Sequence, residues 1–120
     1  MLAESATGIA GARLIANERL AVPAHFDAEV YAAFRRHFRQ GLLARARLEL
    51  IVSRLAALAA ERVALPPLLR EAHALADRLS AADAFYVALA RTRKIALLTA
   101  DARLAQAGAD VARIRLVAGT

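Results

Sequence analysis

Between residues 26 and 38 an apolar side chain returns at every fourth position (Phe26, Val30, Phe34, Phe38), while Arg35, Arg36 and Arg39 fall on the far side. Steps of four keep one face of an α-helix apolar, so a helix is predicted from Asp27 to Gln40, with Gly41 as its stop. Just upstream, the short apolar run Leu20 to Val22 is ended by Pro23, the pattern of a buried strand. A second helix is predicted over about Ala44 to Ala60. Val63 to Leu65 then reads as a brief strand, and Pro66 and Pro67 open a helix that continues through Leu79. Ser80 starts another helix, Ala81 to Arg93, followed by the continuous apolar strand Ile95 to Thr99. A short helix from Ala102 to Ala107 and a last strand, Ile114 to Val117, complete the pattern. The first segment, about Leu2 to Asn17, is helix-like but interrupted by Gly8 and Gly11.

Strands that alternate with helices need crossover connections, which makes the sheet mostly parallel and covers both of its faces. The expected fold class is therefore α/β, a three-layer α/β/α sandwich. With 120 residues, no repeat and no Pro/Gly/Ser linker, one domain over residues 1–120 is expected. Hydrophobic residues make up 59% of the chain against 23% charged, which excludes a disordered chain. Arg54, Arg62 and Arg70 interrupt the most apolar region, so no stretch reaches the roughly 18 to 20 residues of a membrane span. No basic segment precedes an apolar one at the start, so a cytoplasmic protein with no membrane partner is expected. Without cysteine, disulfides, thiolate chemistry and cysteine zinc sites are ruled out.

Charge narrows the function further. There are 17 Lys+Arg against 11 Asp+Glu, a net charge of +6, and Lys94 is the only lysine. Guanidinium forks match phosphate oxygens in two-point geometry, which favours a polyanion such as nucleic acid; the plain alternative is a solvated arginine surface. Ligands of a parallel sheet collect at the carboxyl ends of its strands. Asp101 follows the strand ending at Thr99, and Asp83 lies in the first turn of the helix before that strand. The helix descends about 15 Å from Asp83 to Arg93. The strand climbs back roughly 17 to 20 Å to Asp101, which returns the two acids to one edge. Glu29, in the first turn after strand Leu20 to Val22, belongs to the same edge. Three converging carboxylates need a cation, and oxygen-only ligands suit Mg²⁺ or Mn²⁺.

Each acid also has a plain structural use. Asp83 fits a capping box opened by Ser80, Asp101 an N-cap for the helix at Ala102, and Glu29 a first-turn partner of the helix dipole. Asp83 lies on a nearly all-apolar helix, where burial would demand a strong partner. Asp27 reads as an N-cap, and Glu61, Glu71 and Asp110 as solvated charges. Arg35, Arg36 and Arg39 are candidate phosphate contacts, while Arg91, Arg93 and Lys94 read either as a second such cluster or as a solvated helix end. His25, His37 and His73 are too dispersed for a zinc or Ser/His/Asp arrangement, and Phe26, Phe34 and Phe38 belong to the core.

The segments AHFDAEVYAAFRR (Ala24 to Arg36), LSAADAFYVALA (Leu79 to Ala90) and LLTADARLA (Leu97 to Ala105) together resemble the PIN-domain ribonucleases, specifically the VapC-like toxins of bacterial toxin-antitoxin pairs. The resemblance runs from about Gly11 to Val117. It implies a compact α/β/α domain whose acidic pocket binds Mg²⁺ or Mn²⁺ and hydrolyses the RNA backbone. Glu29, Asp83 and Asp101 match the family's metal-binding acids, and Thr99 matches a small hydroxyl position that lines the site. A homodimer and a cognate antitoxin protein are the implied partners. The family also opens with an apolar strand ending in an aspartate, and this chain carries neither. Either the true start lies upstream of Met1, or this is a catalytically impaired copy acting only by binding antitoxin or RNA. The intact downstream acids and strands favour the first.

Overall fold

The structure, a computed structural model, describes residues 20–99 and 102–116. The segment Leu2 to Asn17, Asp101, and Val117 at the end of the last expected strand lie outside the described residues. Strand β1 (Leu20–Pro23) leads directly into helix α1 (Phe26–Arg39), whose four-residue apolar step buries Phe26, Val30, Ala33 and Phe34 and turns Arg35, Arg36 and Arg39 outward. Gly41, at φ +76°, turns the chain into helix α2 (Arg45–Ala56). Only Ile51 of α2 is buried, so this helix lies against the core on a narrow stripe. It packs on α1.

The next stretch departs from the sequence reading. Helix α2 ends at Ala56, and strand β2 spans Ala60–Val63 instead of beginning at Val63. It pairs in parallel with β1, Leu20 opposite Ala60 and Pro23 opposite Val63, and the Ala24 N–H extends the pairing to the Val63 carbonyl at 2.8 Å. A partner strand, rather than the pattern of Ala60-Glu61-Arg62-Val63, decides this element. The helix expected from Pro66 through Leu79 is broken up. Pro66–Leu68 form a 3₁₀ turn and Leu69–His73 form helix α3. Beyond it the backbone tightens to three-residue bonds, Leu75 to Ala72, Ala76 to His73 and Arg78 to Leu75. Leu68, Ala72 and Leu75 from this stretch are buried in the core.

Helix α4 (Ala81–Arg93) is the centre of the molecule. Ala84 and every residue from Tyr86 to Ala90 are buried, because α4 packs on β1, on α3 and its 3₁₀ turn, and on strand β3 (Leu97–Thr99). A helix apolar nearly all round has to be enclosed in this way. Its C-cap is Lys94 in the left-handed region, φ 56°. Helix α5 (Ala102–Gly108) then returns the chain to strand β4 (Ile114–Leu116), which pairs in parallel with β3. The class is α/β with parallel strands, as expected. Among the described residues the strands form two pairs, β1–β2 and β3–β4, and α4 touches both.

Candidate functional site

Chain direction sets the site. Where β1 ends, Pro23 is buried and the chain passes through His25 into α1, so the first turn of α1 carries Asp27 and Glu29 at the carboxyl end of the strand. The Glu29 N–H donates to the His25 carbonyl at 3.0 Å, and the Glu29 side chain is half-buried. Asp83 occupies the first turn of α4. There the Ser80 hydroxyl accepts from the Asp83 N–H at 3.2 Å, which supplies the cap that the sequence suggested. Asp83 is half-buried rather than enclosed, because it sits at the open end of an otherwise buried helix.

Tyr86 is a buried polar side chain close to this helix start. It lies one turn beyond Asp83 and is 4% exposed. Burial first, then the negative charges of Glu29, Asp83 and Asp27, push its phenol above the ordinary tyrosine range. The Tyr86 oxygen meets no acceptor at the distance and angle of a formed hydrogen bond, and both ring nitrogens of His25 are likewise buried without one. The His25 ring stands edge-on to Tyr86 at 5.1 Å and to Phe85 at 5.7 Å, so two aromatic neighbours enclose it beside the acids. Neither His25 nor Tyr86 stood out in the sequence. The signal available was the i, i+3 spacing of Asp83 and Tyr86, which places them on one helix face.

Asp27 has a different fate from the N-cap its position suggested. Residue 25 caps α1 without a side-chain bond, and Asp27 takes a two-point contact from Arg62, Nε to Oδ2 at 3.0 Å and Nη2 to Oδ1 at 2.9 Å. The guanidinium holds the Asp27 carboxyl below its ordinary value. Arg62 also donates to the Leu58 and Ala60 carbonyls at 2.9 and 3.0 Å, which fixes it at the start of β2. Asp27 is thereby neutralised next to Glu29 and Asp83.

The other arginines divide into two populations. Arg93 forks onto Glu61 at 2.7 and 2.9 Å, Arg78 meets Asp110 at 2.6 Å, and Arg91 lies 3.7 Å from Glu71. Glu61, Glu71 and Asp110 are thus ion-paired rather than simply solvated. The cluster at Arg91 to Lys94 serves structure too, since Arg113 also donates to the Lys94 carbonyl. Arg35, Arg36 and Arg39 are exposed on α1 and form no salt bridge among the described residues. Arg35 lies over the Tyr31 ring, and Arg45 at the start of α2 over Phe38, at 5.7 and 5.0 Å from the centroids.

Thr99 ends β3 and is fully buried, two residues before Asp101, which lies outside the described residues. No cluster of three or more His, Cys, Asp or Glu side chains able to hold a metal occurs among the described residues. Glu29 and Asp83 offer hard oxygen donors, and Mg²⁺ is commonly held by one or two carboxylates together with water, so the donor set fits such an ion. No helix among the described residues is long and apolar enough to cross a membrane.

Residues 1–110 match the PIN domain family. The chain is 37% identical over 111 residues to Ribonuclease VapC12 of Mycobacterium tuberculosis (strain ATCC 25618 / H37Rv), covering 92% of this chain and 86% of that protein. It is 41% identical over 93 residues to Ribonuclease VapC3 of the same strain, covering 78% and 68%. With VapC ribonuclease Mb0985 of Mycobacterium bovis (strain ATCC BAA-935 / AF2122/97) it shares 38% over 96 residues, covering 80% and 76%.

Proposed function

The chain belongs to the PIN-domain family, and from that membership we propose that it is a metal-dependent endoribonuclease, the toxin of a toxin-antitoxin pair. The observation that carries this reading is the match of residues 1–110 to the PIN domain in a chain with acids in the first turns of α1 and α4. The relatives named as ribonucleases support it. Glu29, Asp83 and Asp101 would hold Mg²⁺ or Mn²⁺, with Thr99 lining the site. When bound, such a cation supplies an activated water and neutralises charge developing on the phosphodiester.

The chain's own groups do the rest. Arg35, Arg36 and Arg39 leave the same helix that carries Glu29 and hold backbone phosphates, a contact that positions RNA without reading its bases. The pairing of Asp27 with Arg62 keeps a further negative charge from repelling the phosphate near the site. The other partners of this reading are a cognate antitoxin protein and a second copy of the chain, with action in the cytoplasm.

Cleavage of RNA by the purified protein tests the proposal. Activity is expected to need Mg²⁺ or Mn²⁺, to stop on chelation, and to be lost in Asp83→Asn and Asp101→Asn. Variants that cleave as well as the parent would show that the site is misassigned. With three arginine contacts to single-stranded RNA, log K for binding should fall against log salt with a slope of about −2.

A further inference from the structure

Residues 30–60, which run from α1 through Gly41 into α2, hold six arginines and one acid, Glu49, a net +5 out of the chain's +6. None of the six forms a salt bridge among the described residues, whereas Arg62, Arg78, Arg91 and Arg93 are all paired. Like charges gathered in this way repel one another and favour a polyanion. The same hairpin carries two aromatic rings seven residues apart, Tyr31 and Phe38, which is two turns or about 10 Å along one face of α1. Tyr31 is 41% exposed, and Phe38, expected in the core, is only half-buried. A guanidinium lies over each ring, Arg35 at 5.7 Å from the Tyr31 centroid and Arg45, from the start of α2, at 5.0 Å from that of Phe38. We propose that these two ring and guanidinium pairs form a base-stacking track for single-stranded RNA, which takes unpaired bases face to face while the neighbouring arginines hold the phosphates.

Charge alone fits any polyanion, and the rings narrow the choice. Every base has a flat π-face that stacks on an aromatic ring or on a guanidinium plane, so a track of this kind tolerates any sequence. A duplex keeps its bases stacked inside and cannot offer them, which selects the single strand. The track is held in shape by the fold. Tyr31 and Arg35 are four residues apart on one helix face, and the Phe38 and Arg45 pair bridges α1 and α2, which pack on each other. Because α1 opens with Glu29 in its first turn, a strand held here lies on the same helix as one of the candidate acids.

The inference rests on the RNA reading above, and its test separates the two. Binding is measured by anisotropy in the presence of a chelator, with a labelled short single strand, the same strand made abasic, and the matching duplex. The parent is expected to prefer the intact strand to the other two. Tyr31→Leu should bind the intact strand on the order of 10-fold more weakly and lose the preference over the abasic one, with unchanged thermal midpoint and salt slope, since no phosphate contact is removed. A second measurement reads the ring directly. The chain has no tryptophan and two tyrosines, Tyr31 exposed and Tyr86 buried, so the strand should quench tyrosine emission in the parent and leave it unchanged in Tyr31→Leu. Parent-like affinity in Tyr31→Leu, or an abasic strand bound as tightly as the intact one, overturns the track and leaves the phosphate contacts standing. Polyglutamate that displaces the strand as well as unlabelled RNA does would mark the hairpin as a face for an acidic protein and overturns the track too. A parent that binds no RNA overturns the track and the RNA reading together. Because no cation is present, failure of the metal site leaves all of these outcomes unchanged.

Discussion

Arg62→Met removes a guanidinium while keeping most of its aliphatic stem, which isolates what the fork contributes at the junction of β1, β2 and α1. Two bonds to Asp27, at 2.9 and 3.0 Å, and two to backbone carbonyls are lost. Both side chains are about a third exposed, 32% for Arg62 and 39% for Asp27, so water screens the pair and it contributes toward the upper end of about 0.2 to 1 kcal/mol. The carbonyl bonds, partly replaced by water in the variant, add about 0.5 to 1 kcal/mol together. The expected loss at pH 7 is therefore about 1 to 2 kcal/mol, read by urea unfolding followed by circular dichroism.

The pH dependence gives this reasoning its sharpest check. Asp27 is held below its ordinary value in the folded protein by its hydrogen bonds to Arg62, so its share of stability is complete above the unfolded carboxylate's pKa, near 3.9. That share disappears as pH falls through the lower folded value. Below that lowered value Asp27 is protonated in both states, and the gap between parent and Arg62→Met should shrink to the part carried by the carbonyl bonds. In a double-mutant cycle with Asp27→Asn the coupling should equal the part that titrates. A gap that does not narrow as pH falls below the ordinary carboxylate value, or one below about 0.3 kcal/mol at pH 7, would refute the assignment of Arg62 to Asp27.

Ser80→Ala removes the acceptor for the Asp83 N–H at the start of the central helix and should cost about 1 kcal/mol, seen as a lowered midpoint in scanning calorimetry. Lys94→Gly relieves a left-handed residue at φ 56° while leaving the Lys94 carbonyl in place for Arg113, so it should raise stability by about 0.5 to 1 kcal/mol in the same assay.

Much of the fold is legible where local spacing decides the structure. The four-residue apolar step specifies α1 and its outward arginines, and Ser80 marks the start of α4 to the residue. The apolar run after Arg93 foretells β3, although only Leu97–Thr99 of it is strand. The placement of Glu29 and Asp83 at helix starts follows from the same reading. Strand β2 was not legible, because Ala60-Glu61-Arg62-Val63 has a polar centre and no alternation. Its pairing with β1 and the ion pairs of Glu61 and Arg62 hold it in place. Nor could Tyr86 be told apart from the apolar residues around it, since only packing buries it against the His25 ring.

The sequence by itself determined the α/β class, the order of most elements, and which helix starts carry acids, because helix and strand periods act over a few residues. Only the tertiary structure decided which charges meet. Asp27 with Arg62, Glu61 with Arg93 and Arg78 with Asp110 join residues 32 to 35 positions apart. Such pairs depend on the path of the whole chain, and they separate the arginines that hold the fold together from the exposed ones on α1.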